Sequence, residues 1–284
     1  MSPEIITSKA NPKVRELRKL LRRKKYRQEG GRFLAEGAQA IAIARQHGWK
    51  PLTLVYSPER LHSPLARAIV LETPERFRLP LSPSVFETLS ERDNPPELIG
   101  VFAVPPDDLD RIPVRESALL LLLDRIRDPG NLGAIIRSAD ALGAQGVVLY
   151  GDSVDPYHPQ SVRATMGSLF AVPVVHLREY LPLKEWVERL RAACPQLQLV
   201  GADPHSGRPP EEMDGTQPTL LVIGNEQKGL SPELLQLCDL RVTIPMVGAA
   251  ESLNTAVAAS ILLYEIARQR RVASQGSISG ASAP

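Results

Sequence analysis

Two stretches decide the fold: Leu221-Val222-Ile223-Gly224-Asn225-Glu226-Gln227-Lys228-Gly229-Leu230 and Ile244-Pro245-Met246-Val247-Gly248-Ala249-Ala250-Glu251-Ser252-Leu253-Asn254. Each is an apolar strand that breaks into a small, polar, Gly-bearing loop and then opens a helix. In open α/β sheets, ligands sit in the crevice beyond the carboxyl ends of the strands. Glycine there lets main-chain groups approach a ligand without side-chain obstruction. Two such loops so close in sequence predict one shared pocket. A third stretch, running from Asp124 to Arg137, also lies between a strand and a helix and belongs with them.

Outward from these loops, apolar runs predict strands at 119–123, 146–150, 172–176, 197–202, 219–223 and 240–244. Helical spacing predicts helices at 132–142, 161–169, 183–193, 232–237 and 252–271. Continuous apolar strands separated by helices indicate an α/β domain, its parallel sheet covered on both faces. On the last helix Leu253, Val257, Ser260, Ile261 and Tyr264 share one stripe, and Ala256, Ala258 and Ala259 permit close packing.

The first hundred residues read as a smaller α/β unit. Asn11-Pro12 starts a helix whose apolar stripe is Val14, Leu17, Leu20 and Leu21. Short extended segments are expected at 32–37, 52–56 and 98–104, with helices at 38–46, from Pro58 to near Ile69, and at 82–89. The resulting organisation is a domain at 1–104, a Pro-bearing linker at 105–116, a larger domain at 117–272, and a Ser/Gly/Ala tail at 273–284 expected to be disordered.

The 284 residues carry a formal charge of +2 and are 43% hydrophobic, enough for two ordinary cores. Only Cys194 and Cys238 occur, so a disulfide framework is excluded and a reducing cytoplasm is expected. The longest aliphatic run, 119–123, is too short for a membrane span, and the first residues lack a signal core. No metal-ligand spacing links the five histidines. The near-neutral total hides an asymmetry: residues 1–32 hold eleven cations against three carboxylates, a net +8. Arg22, Arg23, Lys24 and Lys25 are its densest part, and such a run points to nucleic-acid contact or to a solubilising arm.

The loop residues admit a plain reading and a chemical one. Asn131 is expected as an N-cap after the turn Asp128-Pro129-Gly130, and Ser252 and Asn254 as caps of the last helix. Leu132, Ile135, Ile136, Ala139 and Leu142 would form the buried stripe of the helix at 132–142. Gly133 and Arg137 would then stand one turn apart on another face. Glycine costs a helix about 1 kcal/mol relative to alanine, which suggests close approach by a ligand beside Arg137. Neither the P-loop nor the dinucleotide fingerprint is present. Cofactor chemistry with polar orienting groups fits better than nucleophilic catalysis by the protein.

Taken together, the three stretches resemble the three motifs of the SpoU (TrmH-type) branch of the SPOUT RNA 2′-O-ribose methyltransferases. The first is carried by Asn131-Leu132-Gly133 with Arg137-Ser138-Ala139. The second is carried by Ile223-Gly224-Asn225-Glu226 with Gly229-Leu230. The third is carried by Ile244-Pro245-Met246 with Glu251-Ser252-Leu253-Asn254 and Ala258. Gln227 stands where that family more often has glycine. Residues 8–21 and 33–37 resemble parts of a ribosomal-protein-like substrate-binding domain that precedes the catalytic domain in many of these enzymes.

The resemblance implies S-adenosylmethionine as cofactor, a ribose 2′-hydroxyl of RNA as acceptor, a homodimer, and a deep trefoil knot at about 199–254. Carried residue by residue, it implies cofactor contacts at Ala202, Gly224, Glu226, Ile244, Met246, Leu253 and Ala258. The implied catalytic group is Asn131, Arg137, Glu226, Ser252 and Asn254. It implies RNA contacts at Arg137 beside the basic run Arg22, Arg23, Lys24 and Lys25. No metal is implied. Ribosomal RNA is the expected substrate; the alternatives are a transfer-RNA methyltransferase, a non-catalytic RNA-binding protein keeping the fold, and a small-molecule enzyme.

Overall fold

A computed structural model describes residues 4–90, 92 and 94–279. The chain forms two compact units, one made of 1–106 with 155–171, the other of 107–154 with 172–284. The first unit contains α1 (Pro12–Arg22), α2 (Lys24–Gly30), β1 (Arg32–Glu36), α3 (Ala38–Gln46), β2 (Thr53–Tyr56), α4 (Pro64–Glu72), β3 (Arg78–Pro80), α5 (Pro83–Phe86) and β4 (Leu98–Ala103). Its sheet runs β1-β4-β2-β3, antiparallel except between β2 and β3. The Asn11 carboxamide caps α1 by accepting from the Lys13 amide at 2.9 Å, and the expected stripe of Val14, Leu17, Leu20 and Leu21 is buried. Sequence periodicity misses α2 and β3; each is short, and β3 spans three residues ending in a proline.

The second unit begins with β5 (Leu119–Asp124), α6 (Pro129–Ala141) and β6 (Gly146–Tyr150). The chain then supplies 155–171, including α7 (Pro159–Ala164), to the first unit. That segment is the helix expected at 161–169 within the larger domain. It packs instead on the first unit's aromatic cluster, where Phe102 and Phe170 centroids lie 4.9 Å apart and the Trp49 indole donates to the Phe170 carbonyl at 3.0 Å. Within the same unit, buried Arg27 donates through Nε and Nη2 to the Asp155 carboxylate at 3.0 and 2.8 Å. One of the eleven N-terminal cations is therefore an internal strut and not part of a basic surface.

The second unit resumes with β7 (Val174–Leu177), α8 (Tyr180–Ala193), β8 (Gln198–Ala202), β9 (Thr219–Ile223), α9 (Pro232–Leu237), β10 (Leu240–Val242) and α10 (Thr255–Ser279). Its six strands are all parallel, in the order β10-β8-β9-β5-β6-β7. The five leucines of β5 are buried, as a central strand covered on both faces requires. This confirms the α/β sheet expected from the sequence.

Three local expectations are corrected. The first concerns Gly133, which is buried with the apolar residues of α6, while Arg137 is exposed. The second concerns α10, whose buried face is Ala256, Ala259, Leu262, Leu263 and Ile266, leaving Val257, Ile261 and Tyr264 exposed. The helix is apolar on two sides, so spacing alone cannot choose the inner one. The third concerns its length: α10 runs past Arg271 to Ser279, into the segment expected as a tail. The Arg270 guanidinium fastens the helix by donating to the carbonyls of Ser117, Ala118, Gly215 and Gln217 at 2.9–3.0 Å. The rest of that expected tail, 280–284, lies outside the described residues.

Candidate active site

The reversal in strand order falls between β5 and β9, and the loops following β5, β8, β9 and β10 lie at the carboxyl edge of one parallel sheet. A cavity of about 470 Å³ opens there, within the range of small-molecule and cofactor sites. All seven expected cofactor contacts line it: Ala202, Gly224, Glu226, Ile244, Met246, Leu253 and Ala258. Leu230, Leu235, Val242 and Leu262 add apolar wall, and Asp203, His205, Lys228 and Glu251 add polar rim.

The 225–229 loop owes its shape to its own backbone. Asn225 and Gly229 exchange both main-chain hydrogen bonds at 3.0 Å. A Cβ on Gly224 would fall 2.4 Å from the Gly229 carbonyl carbon, and Gly229 sits at φ +63°, a conformation that favours glycine. These glycines close the loop on itself and so leave the cavity wall smooth. The Asn225 carboxamide oxygen then accepts from the amides of Gln227 and Lys228 at 3.1 Å each. Gln227 keeps an ordinary negative φ, so the departure from glycine there is tolerated.

Three of the five expected catalytic residues meet in one hydrogen-bonded row. Asn254 Nδ2 donates to Asn131 Oδ1 at 2.9 Å, and Asn131 Nδ2 donates to Glu226 Oε1 at 3.2 Å. Asn225 Nδ2 also reaches Glu226 Oε2 at 3.2 Å. The plain reading of Asn131 fails, because Asp128 is the cap of α6: its carboxylate accepts from the Asn131 amide at 2.7 Å. The Asn131 side chain is thereby released for the row. Asn254 does both jobs, since its Oδ1 accepts from the amides of Ala256 and Val257 at 2.9 and 3.3 Å.

Ser252 lines the cavity, exposed. Arg137 is exposed on α6, outside the cavity lining, and no hydrogen bond or ion pair holds it among the described residues. Arg22, Arg23, Lys24 and Lys25 are likewise exposed, at the junction of α1 and α2 in the first unit. No group of three His, Cys, Asp or Glu suited to a metal occurs among the described residues. No helix there is long and apolar enough to cross a membrane.

The end of β5 carries a buried group that the sequence reading leaves without a role. Asp124, fully buried at the end of β5, accepts from Arg125 Nε and Nη2 at 2.7 and 3.0 Å and from the Ser231 amide at 2.6 Å. Nearby, burial and then the Glu233 carboxylate push the Tyr150 hydroxyl up to about 12, so it stays protonated and donates to Glu233 Oε1 at 3.2 Å. The sequence signal for Asp124 was available: a carboxylate ending an all-leucine strand has to be paired. After β8 the sequence reading names Ala202 but does not single out the turn that follows it. Asp203 accepts there from the amides of His205 and Ser206 at 2.9 and 3.2 Å, a turn announced by Asp203-Pro204-His205-Ser206-Gly207.

A parallel sheet whose end loops wall a cofactor-sized cavity rimmed by polar side chains is the architecture of an α/β enzyme that holds a small molecule at its strand ends. The chain belongs to the SpoU rRNA Methylase family, whose profile matches residues 118–264, and residues 11–100 match the MRM3-like substrate binding domain. It is 46% identical to the 23S rRNA (uridine(2479)-2′-O)-methyltransferase of Streptomyces viridochromogenes, over 93% of this chain and 92% of that protein. It is 34% identical to the 23S rRNA (guanosine(2553)-2′-O)-methyltransferase RlmP of Bacillus subtilis, over 92% of this chain and 98% of the relative. The crystal structure of the SpoU methyltransferase AviRb from Streptomyces viridochromogenes, in complex with AdoMet, superposes with a TM-score of 0.86. Its identity is 44%, covering 92% of this chain and 98% of that one.

Proposed function

We propose that this chain methylates a ribose 2′-hydroxyl of 23S ribosomal RNA in the cytoplasm, with S-adenosylmethionine as donor. The observation that carries this reading is the Asn254–Asn131–Glu226 row, which ends on Glu226 in the lining of a cavity that also holds every other expected cofactor contact. The cavity fits the cofactor in kind: apolar walls for its adenine ring and methionine carbon chain, main-chain groups of the 224–230 loop, and polar side chains for its charged end. When bound there, S-adenosylmethionine supplies an electrophilic methyl on a sulfonium.

The protein's task is then to align the hydroxyl with that methyl and help remove its proton. Holding reactants in an attack geometry can lower a barrier by about 7–11 kcal/mol. Arg137, unpartnered and exposed, is available to grip the phosphate next to the ribose with its planar fork and polarise the hydroxyl. A guanidinium with a pKa above about 12 is a poor base, so the proton passes to phosphate or water. The Asn131 and Asn254 carboxamides and the Glu226 carboxylate orient the ribose, with Ser252 beside them. Arg22, Arg23, Lys24 and Lys25 attract the RNA backbone from the first unit.

The working form is a homodimer whose loops are threaded as a trefoil knot at about 199–254. The support for the dimer is the exposed apolar face of α10, where Val257, Ile261 and Tyr264 are 46, 38 and 52% accessible beside Ala134 of α6. Light scattering on the full chain should give twice the monomer mass, and Tyr264→Glu should reduce it to one. The function is tested with labelled S-adenosylmethionine on transcripts of 23S rRNA, 16S rRNA and tRNA. Label appearing as alkali-resistant 2′-O-methyl nucleotides in 23S rRNA alone is the expected result. Label in tRNA alone, or cofactor binding with no transfer to any RNA, would overturn it.

A further inference from the structure

We infer that Arg125 is a positioning residue whose inverted backbone sets the 225–229 loop, and with it Glu226, for methyl transfer; this rests on the function proposed above. Arg125 is one of two non-glycine residues at positive φ, +54°, among the described residues. An L-residue with a long side chain rarely adopts that conformation, and it persists only where its surroundings over-determine it.

Four contacts do so here. The Arg125 amide donates to the Tyr150 carbonyl at 3.1 Å, which ties the residue to the end of β6. Its guanidinium forks onto Asp124 at 2.7 and 3.0 Å, and Asp124 is itself held by the Ser231 amide at 2.6 Å. Space for the stem comes from Gly151, where a Cβ would fall 3.0 Å from Arg125 Cγ. The product of the inversion is a carbonyl aimed away from its own strand: Arg125 O accepts from Asn225 Nδ2 at 2.8 Å.

That last bond reaches the site. Asn225 uses the same carboxamide to collect the Gln227 and Lys228 amides through its oxygen and to touch Glu226 through its nitrogen. Rotating the Arg125 peptide back to an ordinary φ would withdraw the acceptor from Asn225 and release the loop that carries Glu226 and walls the cavity. The Arg125 side chain therefore acts on the reaction through backbone geometry, without touching substrate.

Glycine adopts positive φ readily and alanine does not, so the two truncations separate this role from a direct RNA contact. Wild type, Arg125→Gly and Arg125→Ala would be compared by single-turnover methylation of 23S rRNA, by cofactor titration, and by amide hydrogen exchange at Gln227 and Lys228. Expected are a loss of about 100-fold in turnover for Arg125→Ala, as for a small misplacement of a reacting group, with most activity restored in Arg125→Gly. The KM for RNA stays near wild type, and cofactor affinity and exchange protection follow the same order. Adding Arg125→Ala to Asn225→Ala should cost little more than Asn225→Ala alone, because the bond between Asn225 and the Arg125 carbonyl is then already lost. Equal impairment of the Gly and Ala variants through KM for RNA would overturn the inference, as would unchanged exchange at Gln227 and Lys228 in Arg125→Ala. Wild-type protein that transfers no methyl would refute the function proposed above, while the exchange order still decides the role of Arg125.

Discussion

The two units use polar side chains in opposite ways. At the junction of α1 and α2 the cations Arg22, Arg23, Lys24 and Lys25 stand in solvent, and the Lys25–Glu29 contact, at 3.7 Å, is between two exposed groups. At the carboxyl edge of the second unit's sheet, Asn131, Asn225, Glu226 and Asn254 are tied to one another at 2.9–3.2 Å. A surface of free charges acts by summed, screened attraction, so its members are interchangeable and each contributes little. A row of bonded amides acts by geometry, so its members are not interchangeable. Arg137, of the expected catalytic group, is an exception to that tying: an exposed cation that no hydrogen bond or ion pair holds among the described residues, which suits a group waiting for phosphate.

The largest effect is expected at that exception. Arg137→Ala should lower single-turnover methylation by about 100- to 1,000-fold, the range for removing a group that stabilises developing charge, while cofactor affinity and the melting curve stay unchanged. Arg137→Lys keeps the charge but loses the fork, and should remain badly impaired while binding RNA nearly normally. Wild-type turnover in Arg137→Ala would make it one more solvated cation and erase the contrast with α1 and α2.

Next comes Asn254, whose two roles can be separated. Asn254→Ala removes both the cap and the bond to Asn131, and should cost about 1 kcal/mol of stability together with turnover. Asn254→Asp keeps the cap oxygen but has no donor for Asn131 Oδ1, so the melting temperature should recover while turnover does not. Parallel recovery of both would mean that Asn254 serves only α10.

The basic surface should respond more gently. Replacing Arg22, Arg23, Lys24 and Lys25 together by glutamine should weaken RNA binding and reduce the slope of log affinity against log salt by about 3, given roughly 0.7–0.9 per phosphate contact. Cofactor affinity should not move. An unchanged slope would make this segment a solvated arm. Smallest of all is Lys25→Ala, which breaks a contact between groups 86 and 66% accessible and should leave the melting temperature unmoved. A clear loss there would argue that these charges are organised and not free.

Sequence by itself determined the pieces that depend on local chemistry. The apolar run of β5, the start of α1 at Asn11-Pro12, and the alternation of strands and helices follow from side-chain period and backbone restriction. So do the three loops, and the motif resemblance named seven residues that all proved to line one cavity. Tertiary structure decided whatever needed a partner distant in the chain. Arg27 counts as a surface cation until Asp155, 128 positions away, buries it. The helix expected at 161–169 was legible as a helix, observed as α7 (Pro159–Ala164), but the place of its segment among Phe33, Trp49 and Phe102 was not. The inner face of α10 could not be chosen from two apolar stripes, and Asn131 looked like a cap until Asp128 took that position. Period and propensity report on neighbours within a turn or two, whereas burial and hydrogen-bond partners are settled by which elements the sheet brings together.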